Sequence, residues 1–525
     1  MGLSMRSAAR PHTQQGEIRL ARSGPRKISR RYWKWFVAAA VLVLVAAIVL
    51  LNHYWPFTRN HLVHELEQAT SSHVTLGSFR HTLFPRPGCV AEQVILTRGE
   101  TPATQAKMTI RTLTVEGNWT GLLNKHLALM RLEGADAVFP PIGTGEEWKP
   151  SNSEIVIDEL IADGSLLEFK RRNEQVRNVQ FPILKFTAHH LSSSKPMGYE
   201  VQLKNPVPAG LVSVSGSFGP WNMDQVHATP VSGDYSYQDA DLGTVEGIQG
   251  KLASTGKFRG NLERILIDGQ TDVPDFQVKN KPHAAELKTQ FHAAVEVTNG
   301  DVILNKVDGR LLRSMIHTAG RVAAQKGHPG KTTSLDFAVD GGRIQDLMLL
   351  FITEKRPPIN GTVSVKGKTL LYAGSEPFLR RLQMSGDFGI EDASFTKAET
   401  QTSVDKFSES GTGHGDDSEN PEDVVSDLQG HVVLQNGVAT FSQLRFRVPG
   451  ARARLDGTYN LITEKVDMRG MLYLDATLPK ATSGIKSFLL KAIDPFLKKN
   501  RRGGARIPIR VTGTYEHPVY RADPV

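Results

Sequence analysis

Few residues of this 525-residue chain are spaced for covalent chemistry. Two S-x-x-K runs, 192–195 and 394–397, have the spacing with which a serine nucleophile meets a lysine in serine acyl-enzymes. The K-T-G and S-D-N runs that complete such a site are absent, so both read as chance. Gly367-Lys368-Thr369 resembles the end of a phosphate-binding loop, but position 362 is Thr where that loop needs Gly, and a hairpin turn is the better expectation. His189 and His190 are adjacent, and on a strand they face opposite ways, which prevents shared metal ligation. Asp416, Asp417 and Glu419 lack the spacing of a calcium loop. Cys89 is the single cysteine, so no intrachain disulfide can form; beside Pro87 and Gly88 it reads as a small apolar filler. No catalytic, cofactor-binding or metal-ligating residue is assigned, and the chain is read as something other than an enzyme.

The elements around these residues say more. Residues 36–51, FVAAAVLVLVAAIVLL, are apolar throughout and follow Arg30, Arg31 and Lys34. Carried on to Trp55, the run is about 30 Å long as a helix, the thickness of a bilayer's hydrocarbon core. Trp33, Trp35, Tyr54 and Trp55 stand at its ends, where amphipathic rings favour the headgroup region. A membrane anchor over 35–55 is expected, including Trp35, Phe36, Leu42, Leu44, Leu50, Leu51 and Trp55. Residues 1–34 hold nine Lys/Arg against Glu17, which is +8 of the chain's net +9. The basic tail should stay cytoplasmic and the rest should be exported. The alternatives fit less well. A signal peptide would show small residues where Asn52-His53-Tyr54-Trp55 stand, and nucleic-acid binding would show a recognisable motif.

Beyond residue 56 the chain reads as strands. Leu444, Phe446 and Val448 alternate with Arg445 and Arg447, and Ile507, Ile509 and Val511 alternate with Pro508, Arg510 and Thr512. Such period-two runs give one apolar and one wet face. Similar runs cover 109–115, 154–161, 211–215, 293–297 and 362–366. Asn299-Gly300, Asn436-Gly437 and Asp163-Gly164 each separate two apolar runs and predict hairpins. Gly243-Thr244, Gly361-Thr362, Gly457-Thr458 and Gly513-Thr514 read as strand beginnings. No fixed period links the strands, which argues for a long antiparallel meander over a propeller or solenoid.

Helices are few: 59–70; 343–353, with Ile344, Leu347, Leu350 and Phe351 on one face; and 486–499, interrupted at Pro495. Residues 397–427 are polar and acidic and read as an inserted mobile loop. The division expected is a tail over 1–34, an anchor over 35–55, an exported β region over 56–342 and a carboxy-terminal β domain over 343–525. So few helices cannot cover an apolar sheet face. Either a second sheet covers it, as in a sandwich, or part of it forms an open groove able to hold acyl chains.

With these elements assembled, the chain resembles the AsmA family of bacterial envelope proteins. The likeness rests on the run PFTRNHLVHELEQATSSHVTLGSFRHTLFPRPGCVAEQVIL, on 113–139, and on LQGHVVLQNGVATFSQLRFRVPGARARLDGTYNLITEKVDMRGMLYLDATL followed by IPIRVTGTYEHPVYRAD. Its landmarks are Asn436-Gly437, Val448-Pro449-Gly450, Gly457-Thr458-Tyr459 and Gly513-Thr514. The resemblance implies a mainly β fold: an N-terminal transmembrane helix, then an elongated, curved antiparallel β-sheet groove with a few short helices. It also implies a single-pass inner-membrane protein, mostly periplasmic, that binds or transfers phospholipids and supports the outer membrane, with an envelope protein as a potential partner. The other reading is a scaffold for outer-membrane protein assembly. Alternation makes Leu444, Phe446, Val448, Leu472, Leu474, Ile507 and Ile509 the candidate lipid-groove residues.

Overall fold

The structure, a computed structural model, describes residues 41, 43, 45, 57–99, 101, 105–120, 126–140, 155–170, 178–245, 247–325, 330–374, 376–396, 426–474, 505–514 and 518–522. The chain forms two compact units, 1–58 and 59–525. In the first, Val41, Val43 and Val45 are helical and exposed. Among the described residues no helix is long and apolar enough to cross a membrane. The anchor residues Trp35, Phe36, Leu42, Leu44, Leu50, Leu51 and Trp55 lie outside the described residues.

The second unit opens with helix α1 (Arg59–Thr70), over the residues expected. Then come β1 (His73–Thr75), β2 (Ser78–Thr82), β3 (Gly88–Arg98), β4 (Ala106–Gly117), β5 (His126–Phe139), β6 (Val156–Ile161), β7 (Ser165–Phe169), β8 (Val179–Leu191) and β9 (Met197–Pro206). The middle holds β10 (Ala209–Phe218), β11 (Pro230–Asp241), β12 (Ile248–Gln249), β13 (Lys251–Asn261), β14 (Arg264–Val278), β15 (Ala284–Glu296), β16 (Asp301–Leu311), β17 (Ser314–Ala324) and β18 (Lys331–Arg343). Helix α2 (Ile344–Leu349) leads to β19 (Ile359–Leu371), and α3 (Phe378–Arg381) to β20 (Leu382–Phe395). The last strands are β21 (Ser426–Gln435), β22 (Val438–Val448), β23 (Ala451–Asn460), β24 (Lys465–Leu474), β25 (Ala505–Thr514) and β26 (Pro518–Ala522).

All 26 strands found among the described residues belong to one sheet. From β13 to β26 each strand pairs antiparallel with the next, as hairpin-connected strands do. The long antiparallel meander is therefore present, and among the described residues no second sheet forms a sandwich with it. One local exception is parallel: β5 pairs with both β6 and β7. The Asp163-Gly164 dipeptide does not reverse the chain. β6 and β7 both pair with β8, so they are two stretches of one path. Asp163 Oδ1 accepts the Phe186 N–H at 3.0 Å and holds the interruption against β8.

Turn chemistry works where glycine follows asparagine at φ > 0. Asn436 (φ 51°) and Gly437 (φ 76°) make the two-residue connection from β21 to β22. Asn299-Gly300 also sits in a hairpin, but that connection is longer: β15 ends at Glu296 and β16 begins at Asp301. Gly361, Gly457 and Gly513 lie inside strands, and Gly243-Thr244 lies in a short 3-10 turn. Gly367-Lys368-Thr369 is the interior of β19, with no turn.

Helix α2 is shorter than its sequence suggests. Ile344, Leu347 and Met348 pack on Val339, Ile359, Val363 and Ile390, whereas Phe351 is 51% exposed. Its buried Asp346 accepts from Ser314 Oγ at 2.9 Å and from the Arg313 N–H at 3.1 Å, which offsets the cost of burying a carboxylate. The sheet is continuous through residue 343, since β18 pairs with β19. Ser426 and Asp427 start β21; the rest of the acidic segment, and the helix expected over 486–499, lie outside the described residues.

Candidate functional site

Residues directly opposed on neighbouring strands share a face. Followed strand by strand, the registers trace one unbroken row. It runs through His81, Cys89, Val115, Met130, Leu160 and Ala188. It continues through Tyr199, Gly216, Gly233, Phe258, Ile267 and Ala293. Leu304, Gly320, Leu335, Thr369 and Met384 follow. Leu434, Ala439, Tyr459, Val466, Gly513 and Pro518 complete it. Every strand except β1, β7 and β12 contributes, and no position is Asp, Glu, Lys or Arg. At about 4.8 Å per strand the row has a contour of roughly 100 Å.

A second row runs beside it on the same face. It reads Phe186, Val201, Val214, Tyr235, Gly256 and Gly269, then Phe291, Val307, Thr318, Phe337, Gly367 and Gly386. Val432, Phe441, Gly457, Met468, Val511 and Tyr520 extend it to β26. Aromatic residues stand next to cross-strand glycines in both rows, and their rings lie over the space a Cβ would fill. The position for a Cβ on Gly233 is 2.9 Å from Phe258 Cζ; on Gly367 it is 2.9 Å from Phe337 Cζ; on Gly269 it is 2.6 Å from Phe291 Cζ. The rings therefore lie along the sheet, and the strip stays low and apolar.

Hydroxyls on the β11–β15 part of this face are hydrogen-bonded. Tyr235 Oη and Ser254 Oγ are 3.1 Å apart, Ser254 Oγ donates to the Gln270 carbonyl at 2.9 Å, and Thr271 and Thr289 share a 2.6 Å bond. Desolvation pushes the Tyr199 phenol up to about 12 and raises those of Tyr235 and Tyr237. The same apolar surroundings act on all three.

The seven candidates named from sequence share this face in three adjoining rows. Phe446, Leu472 and Ile507 belong to Val363–Ile390–Leu428–Phe446–Ala453–Leu472–Ile507. Leu444 opposes Leu455, which leads through Gly470 to Ile509. Val448 opposes Ala451, which is in register with Leu474. Leu444, Val448, Leu472 and Ile507 are buried, at 7%, 3%, 3% and 2% exposure; Phe446 and Ile509 are half-buried. Farther back, Phe258, Ile267, Leu304, Leu335 and Phe337 are half-buried. Alternation found the face but selected its most buried end. The central rows escaped notice because glycine within a strand reads as a breaker. Their signal was glycine or an aromatic residue recurring every second position.

The opposite face is charged and cross-paired. Asp234, Lys257, Asp268, His292 and Lys306 stand in one row, with Lys257–Asp234 at 3.4 Å and a close His292–Asp268 contact. Lys306 and His317 hold the Asp308 carboxyl below its ordinary range, at 2.8 and 2.7 Å. On this face, an open depression of about 970 Å³ includes Lys306, Asp308, His317, Lys366, Asp387 and His431.

Ser385 Oγ lies 3.2 Å from His431 Nε2, and His431 Nδ1 lies 2.7 Å from Asp387 Oδ1, a serine–histidine–aspartate order of contacts that the sequence did not announce. Its surroundings are unlike a hydrolase centre. The Asp387 side chain is 82% exposed, and β20 lies between β19 and β21, so the N–H groups around Ser385 serve ladders where an oxyanion hole would need free donors. Water-exposed His–Asp pairs without a serine recur at His292–Asp268 and His317–Asp308, which makes the contact one rung of a charge ladder. The S-x-x-K serine Ser192 bonds Ser194 at 3.2 Å, and Lys397 lies outside the described residues. His189 and His190 join no cluster of three ligands; no such cluster occurs among the described residues. Cys89 is fully buried in the apolar row, and desolvation raises its thiol to about 12. No family model matches the chain, and no curated protein matches it.

Proposed function

We propose that this chain is a membrane-anchored lipid-handling protein that accommodates phospholipid acyl chains on its apolar sheet face. The observation that carries the reading is the row free of charged residues across every strand but three. A sheet face that only packed a core would need another layer over it, and the helices described are too short for that. Each acyl CH₂ taken from water onto such a strip contributes about 0.8 kcal/mol when fully buried, so a strip many strands long can hold a chain without a polar anchor. The anchor expected over 35–55, the export of the remainder and the resemblance to the AsmA family point the same way: an inner-membrane, periplasm-facing protein, passive in mechanism, that contributes to outer-membrane homeostasis. A curved groove is part of this reading.

The test is site-specific photocrosslinking in cells. A benzophenone amino acid at Leu335, on the apolar row, should yield a phospholipid adduct; the same probe at Asp336, on the charged face, should yield none. Equal lipid labelling at both sites, or no lipid at Leu335, overturns the reading. A protein adduct alone at Leu335 would favour the scaffold for outer-membrane protein assembly.

A further inference from the structure

Charge on the wet face follows one rule through most of the sheet and another at its carboxy-terminal end. From β11 to β21 most bases stand opposite acids, as at Lys257–Asp234, Lys288–Asp272 (3.7 Å) and Lys368–Asp336 (3.6 Å); Lys288 also stands opposite Arg310, but its ammonium is held by Glu286 at 2.6 Å. From β22 to β26 arginine repeatedly stands opposite arginine: Arg445 opposite Arg454, Arg447 opposite Arg452, Arg469 opposite Arg510, and Arg510 opposite Arg521. Like charges directly opposed across a ladder cost stability. Three acids share this area. Asp467 binds Arg510 through two bonds of 3.1 Å; Asp456 stands opposite Arg469 and accepts the Gln443 N–H at 2.8 Å; Asp427 stands opposite Arg447. Among the described residues, Arg445, Arg447, Arg454 and Arg469 make no ion pair, and all four are exposed.

We propose that this arginine array docks on a membrane surface rich in anionic phospholipid headgroups. The guanidinium fork matches phosphate oxygens two at a time, and arginines carried on neighbouring strands about 5 Å apart favour many phosphates presented together. The array is two-dimensional, spread over adjoining strands of one sheet face, so it suits an extended anionic plane better than one enclosed ion. Single-stranded nucleic acid would need open aromatic platforms; the patch has Tyr473, whose ring is covered by Arg506 at 5.9 Å. The docking face is the reverse of the apolar strip. This contact therefore goes beyond acyl-chain binding and does not depend on it.

The test holds the full chain in phosphatidylcholine nanodiscs and measures co-flotation with vesicles. Vesicles containing phosphatidylglycerol should bind, those of phosphatidylcholine alone should not, and added salt should release the protein. The double variant Arg445→Gln/Arg454→Gln should bind roughly thirtyfold more weakly, the effect of removing two cations from an anionic surface. Removing like-charge neighbours should leave its melting temperature unchanged or raised, which separates lost docking from lost folding. Lys257→Gln/Lys288→Gln, an equal charge loss in the paired part of the face, should keep the binding. Equal binding to both vesicle types, unchanged affinity of the arginine variant, or an equal loss in the lysine variant overturns the proposal. So does full competition by free inorganic phosphate, which would mean a discrete anion pocket, or by single-stranded RNA at lower concentration than the lipid, which would mean a nucleic-acid surface. Leu335→Asp, which tests the apolar strip, should leave vesicle docking intact even if it abolishes lipid labelling.

Discussion

A charge placed in the apolar row should act as a barrier in series. Consider Leu335→Asp on β18 and Ile267→Asp on β14, both in the same row and both half-buried. The rungs between them are Ala293, Leu304 and Gly320, so a lipid travelling the strip passes both positions. A carboxylate against acyl chains costs about 3 kcal/mol on membrane-insertion scales. Each single variant should therefore slow transfer roughly a hundredfold. The double variant should be only about twofold slower than either one, because two equal resistances in series double the total. Damage to folding behaves differently: separate destabilisations add in free energy and multiply in population. The assay is transfer of a fluorescent phospholipid from vesicles carrying the full chain to acceptor vesicles, with a thermal melt of each variant. Ala338→Asp is the control, since Ala338 lies between His317 and Lys366 on the charged face and should leave transfer unchanged. A double variant slowed by the product of the single effects, or a control as damaged as Leu335→Asp, would refute the reasoning.

Three further outcomes are expected. Gly269→Ala should lower the melting temperature, because its Cβ meets the Phe291 ring at 2.6 Å and overpacking of this kind costs about 1–3 kcal/mol; an unchanged melt would remove the ring–glycine account of the strip. Cys89 should resist alkylation in the folded chain. Its folded pKa, about 12, is above the ordinary 9.0, so the unfolded state loses its proton first and stability should fall as pH rises from 9.0 towards 12. Cys89→Ala should flatten that part of the pH–stability profile, and an identical slope would reject the assignment. Ser385 should remain unlabelled by a fluorophosphonate; labelling lost in Ser385→Ala would show that the exposed Ser385–His431–Asp387 contacts activate the hydroxyl after all.

The fold was readable where side chains alternate by type. Arg452 and Arg454 against Ala451, Ala453 and Leu455 place β23 and both of its faces without further information. It was misread where glycine does structural work inside a strand. Gly361 and Gly457 resemble strand starts in sequence, because nothing local reveals that a neighbouring strand comes within contact of each, and Gly513 does so although it stands opposite Val466 inside the ladder. Asp163-Gly164 resembles a hairpin for the same reason: whether two runs pair with each other or with a third strand is a long-range fact. The candidate site shared this fate. Local alternation marks an apolar face, but the unbroken row exists only through the registers, which no single segment contains. Arg447 opposite Arg452 is nearly visible in sequence, since a two-residue Pro449-Gly450 turn fixes their pairing. Arg469 opposite Arg510 requires the pairing of β24 with β25 across a long intervening segment.

The meander from β13 onward has a modular consequence. Its principal contacts join sequence neighbours, so the hairpin is the repeating mechanical unit even though the sequence has no repeat. Adding or deleting one strand would reverse the chain direction for everything that follows. Adding or deleting two restores both direction and face, and the apolar row closes over the change by about 10 Å. Reach is thus a property that can grow or shrink by whole hairpins while the lining of the strip is conserved.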